Sequence, residues 1–237
     1  MHSRTFHSTC KRAACLGAVL ALLAWSPVRG LADALPLFGT GQGLSNGSAD
    51  THWPWAQPTG GAGGTPTSGP GAFVLTALAP GNLGAGFNPW LPNGSGGTNA
   101  KWVGGFGDAQ ADSPNGSNTI LTESFNLTGY SLPTVQISGR WAVDDNGVLD
   151  INGNTLSTLN TVNSNWDTLH TFTVPTNFLL PGVNAFHITI LSADNNYDGA
   201  YLAFDSATAS VPEPATLYLS LIAISLLATR RRSSVHP

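Results

Sequence analysis

Phe186-His187-Ile188-Thr189-Ile190 is the stretch that decides the fold class. Side chains of an extended chain alternate between two faces, so Phe186, Ile188 and Ile190 share one face and His187 and Thr189 the other. The three apolar residues are expected in a core. Just upstream, Pro181-Gly182-Val183-Asn184 reads as the turn that feeds this strand, with Pro fixing φ and Gly supplying freedom. The same alternation groups Ile137 with Trp141 and Val143 and leaves Arg140 on the outside.

Outward from this stretch, short β-type runs alternate with turn clusters. Candidate strands cover Phe73 to Ala77, Trp102 to Phe106, Ile120 to Leu127, Val135 to Val143, Gly147 to Ile151, Leu169 to Val174, Ala185 to Leu191 and Tyr201 to Phe204. Asn-Gly pairs begin at Asn46, Asn93, Asn115, Asn146 and Asn152, and Asn-Gly readily supplies the positive φ angles of tight hairpins. Between the two ends of the chain no stretch sustains a 3.6-residue apolar period. The expected fold is therefore all-β, an antiparallel β-sandwich of jelly-roll type over residues 71–210. Residues 35–70 are rich in Gly, Pro, Ser and Thr, show neither apolar period, and read as an irregular lead-in carrying His52, Trp53 and Trp55.

The two ends read as sorting signals. Arg4, Lys11 and Arg12 precede an apolar run from Ala13 to Trp25, and Ala32-Asp33-Ala34 offers a small-x-small cleavage site, so residues 1–34 read as a secretory signal peptide with a signal helix. At the other end, residues 211–237 hold Pro212-Glu213-Pro214, an apolar run from Ala215 to Ala228, and Arg230, Arg231 and Arg232. The prolines interrupt helix, the apolar run suits a membrane helix, and the arginines stop transfer and hold their end in the cytoplasm. This ordered tail resembles the PEP-CTERM signal of exported bacterial proteins. The resemblance implies processing near Pro-Glu-Pro by a membrane-embedded exosortase; a plain C-terminal membrane anchor is the competing reading. Fourteen helical residues span only ~21 Å, short of a ~30 Å hydrocarbon core, which favours a transient anchor in the inner membrane.

Composition narrows the function classes. Both cysteines, Cys10 and Cys15, lie in the N-terminal signal, so the exported part has no disulfide and no thiol chemistry. Seven of the nine basic residues sit in the two signals. Between Leu35 and Ser210 eleven acids face only Lys101 and Arg140, a net charge of −9, which excludes nucleic-acid binding through phosphate neutralisation. Few charges, many Gly, Ser, Thr and Asn, and six tryptophans outside the signal describe an extracellular β-protein.

A second resemblance lies in the succession Phe125-Asn-Leu-Thr, Ile137-Ser-Gly-Arg-Trp-Ala-Val-Asp-Asp-Asn-Gly-Val148, Ile151-Asn-Gly153, Trp166, Phe172-Thr-Val and Leu180-Pro-Gly-Val-Asn-Ala-Phe186. In order and spacing it is similar to the galactose-binding-like jelly-roll module of extracellular glycosidases and some PEP-CTERM proteins, over roughly 120–209. The resemblance implies the fold more directly than it implies sugar binding.

Several constellations could carry chemistry. Asp144-Asp145-Asn146-Gly147 reads as a hairpin with solvated acids, or as a site for Ca²⁺ or sugar hydroxyls. Asp194, Asn196, Asp198, Gly199 and Asp205 approach a calcium loop. A strand over Tyr201 to Phe204 would carry Asp205 ~20 Å beyond Gly199, so only a weak partial site from Asp194, Asn196 and Asp198 remains, with a polar hairpin loop as the alternative. His52, His170 and His187 are too scattered for a metal, and a shared outer face accounts for the last two. No cofactor is expected beyond that calcium. No nucleophile elbow, cysteine or acid pair marks a catalytic centre, and Glu123 is the only glutamate between the signals, so the chain reads as non-enzymatic.

Tryptophans are the better lead, because sugars stack on exposed aromatic faces. Trp141 and Trp166 are expected in the core. Trp53, Trp55 and Trp90 lie in Gly/Pro-rich loops, where they serve either as an exposed carbohydrate platform or as a lid packed on one end of the sandwich. The expected protein is thus exported, passes through export machinery and an exosortase, and is delivered to the cell envelope or matrix with exopolysaccharide as its candidate ligand. A structural or adhesive surface protein that binds no sugar is the alternative, and a hydrolase with unrecognised acids the third reading.

Overall fold

Antiparallel pairing of short strands builds two sheets that pack face to face as a β-sandwich. A computed structural model describes residues 32–58, 67–75, 90–105, 118–160, 165–193 and 198–212, together with Ile222. Of the signal peptide expected over residues 1–34, residues 1–31 lie outside the described residues, as do Glu213, Pro214, Arg230, Arg231 and Arg232 of the expected sorting tail and, apart from Ile222, the expected C-terminal helix. Ala32–Pro212 forms one compact unit. Among the described residues no helix is long and apolar enough to cross a membrane.

The strands are β1 (Ala32–Ala34), β2 (Ala49–Asp50), β3 (Trp55–Gln57), β4 (Thr67–Gly69), β5 (Ala72–Val74), β6 (Val103–Gly104), β7 (Asn118–Asn126), β8 (Gln136–Asp144), β9 (Asn146–Ile151), β10 (Asn154–Leu159), β11 (His170–Thr173), β12 (Val183–Leu191) and β13 (Gly199–Ser210). The first sheet runs β11-β8-β13-β6-β5-β2, with β1 added beside β13, and the second runs β10-β9-β12-β7-β3-β4. Alternation explains how they face. Phe186, Ile188 and Ile190 of β12 and Leu121 and Phe125 of β7 point into the sandwich, where they meet Ile137, Trp141 and Val143 of β8 and Leu202 of β13.

The two layers are joined most intimately by four phenylalanines. Phe186 of the second sheet lies 5.8 Å from Phe125, 6.1 Å from Phe172 and 5.3 Å from Phe204, measured between ring centroids. Gly139 of β8 pairs with Phe172 of β11 on one side and Phe204 of β13 on the other. A Cβ at Gly139 would lie 2.2 Å from the Ala203 carbonyl oxygen and 2.7 Å from the Phe172 ring. The missing side chain is what lets the two rings close over the strand.

Several expectations need correction. Residues 35–70 are more than a lead-in, since they supply β2 to one sheet and β3 and β4 to the other. Asn152 (φ 52°) and Gly153 (φ 78°) do form the expected tight turn between β9 and β10. Asp144-Asp145-Asn146, however, is no hairpin: β8 and β9 belong to different sheets, and the chain turns a corner between layers there. The connection from β12 to β13 also crosses between sheets. Asn-Gly signals a turn, but which strands flank it as partners depends on long-range pairing. His170 and His187 likewise sit in opposite sheets and share no face.

The register makes a direct test. Ile188→Ala should cost about 2–5 kcal/mol as a buried deletion and Gly139→Ala about 1–3 kcal/mol by overpacking, whereas Thr189→Ala should stay within about 0.5 kcal/mol. Urea denaturation midpoints check this, and coincident midpoints for the two variants in β12 would show that the assigned faces are wrong.

Candidate functional site

Trp53, Trp55 and Trp90 are buried, at 0, 7 and 3% exposure, and present no open face to a sugar ring. The Trp53 indole N–H donates to the Phe38 carbonyl oxygen at 3.0 Å. Trp55 sits in β3 opposite Leu121, and its indole occupies the space that a side chain at Gly69 would fill. Their Gly- and Pro-rich surroundings let the backbone fold each ring inward; composition alone suggests exposure.

Trp90 belongs to a second apolar cluster on the outer face of the first sheet. Even-numbered residues of β8 and, before the register shift at Phe204/Ser206, odd-numbered residues of β13 face outward, and among them Ala142, Tyr201 and Ala203 are covered by Leu75, Trp90, Ala100 and Trp102. Trp90 and Trp102 stack with centroids 4.4 Å apart, and Trp166, expected in the core, packs partly buried against this cluster. The Tyr201 hydroxyl donates to the Ser95 carbonyl oxygen at 3.0 Å and lies 2.5 Å from Thr98 Oγ1, so residues 90–102 are pinned onto the sheet.

At the end of this cluster the crossings between sheets gather buried acids. Trp90 Nε1 donates to Asp144 Oδ2 at 2.5 Å, Ala193 N–H donates to Asp145 Oδ2 at 2.9 Å, and Asn165 Nδ2 donates to the Asp145 carbonyl oxygen at 2.7 Å. Burial, followed by the neighbouring Asp145, pushes the Asp144 carboxyl up to about 9; the Trp90 bond pulls it down and the charge of Asp198 adds a lesser upward push. Asp198 is buried at 2% exposure, while Asp194 and Asn196 lie outside the described residues. Among the described residues no group of three or more His, Cys, Asp or Glu side chains is arranged to hold a metal ion.

A second buried acid is Glu123. It shares the inward face of β7 with Leu121 and Phe125, and burial pushes its carboxyl up to about 8; the Phe38 N–H bond lowers it and the Asp50 charge raises it. Asp50 accepts from Gly41 N–H at 2.6 Å and from His52 N–H at 3.1 Å. These carboxyls fasten residues 38–53 to the sandwich by backbone N–H groups. Glu123 at the same parity as Leu121 and Phe125 was the sequence signal for its inward direction.

An open polar cleft of about 350 Å³ lies on this face beside Arg140 and Asp205. The Arg140 guanidinium grips Asp205 through Nε at 3.0 Å and Nη2 at 2.6 Å, and Nη2 also donates to the Gly96 carbonyl oxygen at 3.1 Å. Gly96 is required here: its φ is 69°, and a Cβ would lie 2.2 Å from Arg140 Nη1. Gln42, Thr98, Asn99 and the half-buried Phe204 complete the wall. Each wall has its own support. Thr40 anchors the Gly39–Gln42 side by exchanging backbone bonds with Leu202 and Lys101, and Gly39 N–H donates to Gln42 Oε1 at 3.0 Å. A neighbouring cavity of about 310 Å³ shares Thr98, Asn99 and Ala100 and ends at Lys101, whose Nζ donates to the Leu44 carbonyl oxygen. Sequence reading placed Arg140 outside and Asp205 beyond any calcium loop, but their pairing depends on the register of β8 with β13.

Comparison with family models, with curated proteins and with solved structures finds no match for this chain.

The buried acids set a pH dependence. Glu123 goes from an ordinary 4.5 to about 8 and Asp144 from 3.8 to about 9, so the folded protein binds more protons than the unfolded chain between those limits. Their contribution is fully present below about pH 4 and is lost as pH rises through 8 to 9. The melting temperature should therefore fall between pH 5 and pH 9, at about 0.1 M salt, and Glu123→Gln should flatten that fall and melt above the parent at pH 9. A parent melting temperature that rises over this range would contradict the assignment.

Proposed function

We propose that this chain is an exported, non-enzymatic protein of the cell envelope or extracellular matrix whose β-sandwich binds exopolysaccharide in the cleft beside Arg140 and Asp205. The carrying observation is that cleft, where guanidinium, carboxylate and two amides converge within about 350 Å³. Sugar hydroxyls both donate and accept, and the Asn99 and Gln42 amides and the Arg140–Asp205 pair together offer donors and acceptors to adjacent hydroxyls. Asp205 neutralises the one guanidinium, and the body around it carries −9, so the cleft favours a neutral glycan over an acidic one.

The sequence supports the rest of this reading. A signal helix and the tail from Pro212 to Arg232 fit passage through export machinery and an exosortase, with the C-terminal apolar helix holding the precursor in the inner membrane for a time. The sandwich would be a jelly roll of galactose-binding-like type.

Glycan-array binding followed by titration tests the site. Asn99→Ala and Arg140→Ala should each weaken binding of a neutral polysaccharide at least tenfold with the melting temperature little changed, since an exposed ion pair contributes about 0–1 kcal/mol. Absence of binding to any glycan would leave the adhesive reading. Intact mass of the protein released from its host should show Arg230, Arg231 and Arg232 removed; their retention would favour the plain anchor.

A further inference from the structure

We propose that the cavity ending at Lys101 is a second sugar subsite continuing the Arg140–Asp205 cleft, so that the protein takes a run of two or more linked neutral sugars in place of a single one. The inference deepens the glycan reading and rests on it.

The same two segments of chain build both cavities. Gly39 and Gln42 line the first, and Gly43 and Leu44, the next residues of that segment, line the second. Thr98, Asn99 and Ala100 line both. A ligand that follows this shared wall out of one cavity therefore enters the other. Volumes of about 350 and 310 Å³ put each at the small end of the roughly 300–1,000 Å³ range of ligand sites. Each suits a short piece of a sugar chain, and the two together a longer one.

The shared wall is fixed before any ligand arrives. Thr98 Oγ1 donates to the Ser95 carbonyl oxygen at 3.1 Å, and Gly94 N–H donates to the Ala100 carbonyl oxygen at 2.9 Å. Thr40 ties the two segments together: its carbonyl oxygen accepts the Lys101 N–H at 2.7 Å, and its hydroxyl donates to the Lys101 carbonyl oxygen at 2.7 Å. A wall ordered in this way spares the binding free energy that ordering a loop would cost. On it stands the exposed Asn99, whose amide faces both cavities with no hydrogen bond among the described residues.

The second cavity has donors of its own. Asn93 accepts the Trp102 N–H at 2.9 Å with its side-chain carbonyl oxygen, which leaves its NH₂ group as a donor. Lys101 Nζ spends one N–H on the Leu44 carbonyl oxygen, and among the described residues it has no carboxylate partner. An ammonium carries three donors, so the others are left for hydroxyl oxygens. No carboxylate lines this cavity, whereas Asp205 lines the first. Consecutive sugars thus meet a mixed donor–acceptor subsite and then a donor-rich one. Because the two ends of a sugar chain differ, unlike subsites hold it in one direction.

Calorimetric titration of the exported protein purified from its host tests this, with glucose, mannose and galactose and their linear oligomers of two to four units as probes. For the sugar that binds, the oligomers should bind roughly tenfold or more tightly than the single sugar, the gain that added hydrogen bonds to a charged donor supply. Lys101→Met removes the ammonium and keeps the stem. Gly43→Asn places a side chain at the second cavity, in a left-handed conformation (φ 74°) that Asn adopts more readily than most residues, and a Cβ there meets no atom within 4 Å. Each variant should bring the oligomers down to the affinity of the single sugar, whose own binding stays unchanged. Asn99→Ala, on the shared wall, should weaken both. A single sugar that binds as tightly as its oligomers would overturn the inference and leave the glycan reading standing, as would a length gain that survives both variants. Absence of binding at every length would overturn both. Melting curves show whether each variant is folded, and if one is not, the other decides.

Discussion

The closing of Phe172 and Phe204 over Gly139 is the contact on which the rest of the molecule depends. A sandwich needs interdigitating side chains between its layers, and a glycine in a central strand would ordinarily leave a hole there. Here the flanking strands fill it with rings that also reach Phe186 across the interface. The strand pairing that brings the rings together is the same pairing that sets Arg140 beside Asp205 on the opposite face. Core and cleft are two sides of one register.

Outside that core the fold uses polar groups in place of a larger apolar interior. Backbone N–H groups of the N-terminal segment end on Glu123 and Asp50, and at Asp145, in the corner between β8 and β9, the connections that follow β10 and β12 are tied in through Asn165 and Ala193. Burying a carboxyl is costly unless it is hydrogen-bonded, and holding it protonated lowers the cost further. In a chain with no cysteine after Cys15, these acids act as the ties for segments too short to hold by pairing alone.

Much of the architecture was legible in the sequence because the long strands carry it. β7 and β12 alternate cleanly, β8 does so over its first half, and Asn152-Gly153 marks a turn with two positive φ angles. The short strands β2, β3 and β4 were not legible, since two or three residues hold no period and sit among Gly and Pro. Trp53, Trp55 and Trp90 misled for the same reason: a flexible context permits a ring to fold inward as readily as outward. The corner at Asp144-Asp145 was hidden because a turn signal says nothing about which sheet receives the next strand. The cleft was least visible, as Gln42, Asn99, Arg140 and Asp205 are brought together by pairings across much of the chain.

The pairing of Ala32 with Ser210 gives the molecule a mechanical polarity. Both ends of the sandwich leave at the same rung of one ladder, so tension applied between them peels β1 from β13 bond by bond, the weak direction for a β-ladder. Tension between Asp205 and the chain beyond Ser210 instead runs along six residues of β13, which β8 grips from the side. That load is borne in shear, with the ladder's bonds sharing it at once. A chain built this way yields easily at its N-terminal clasp and resists along the line from cleft to tail.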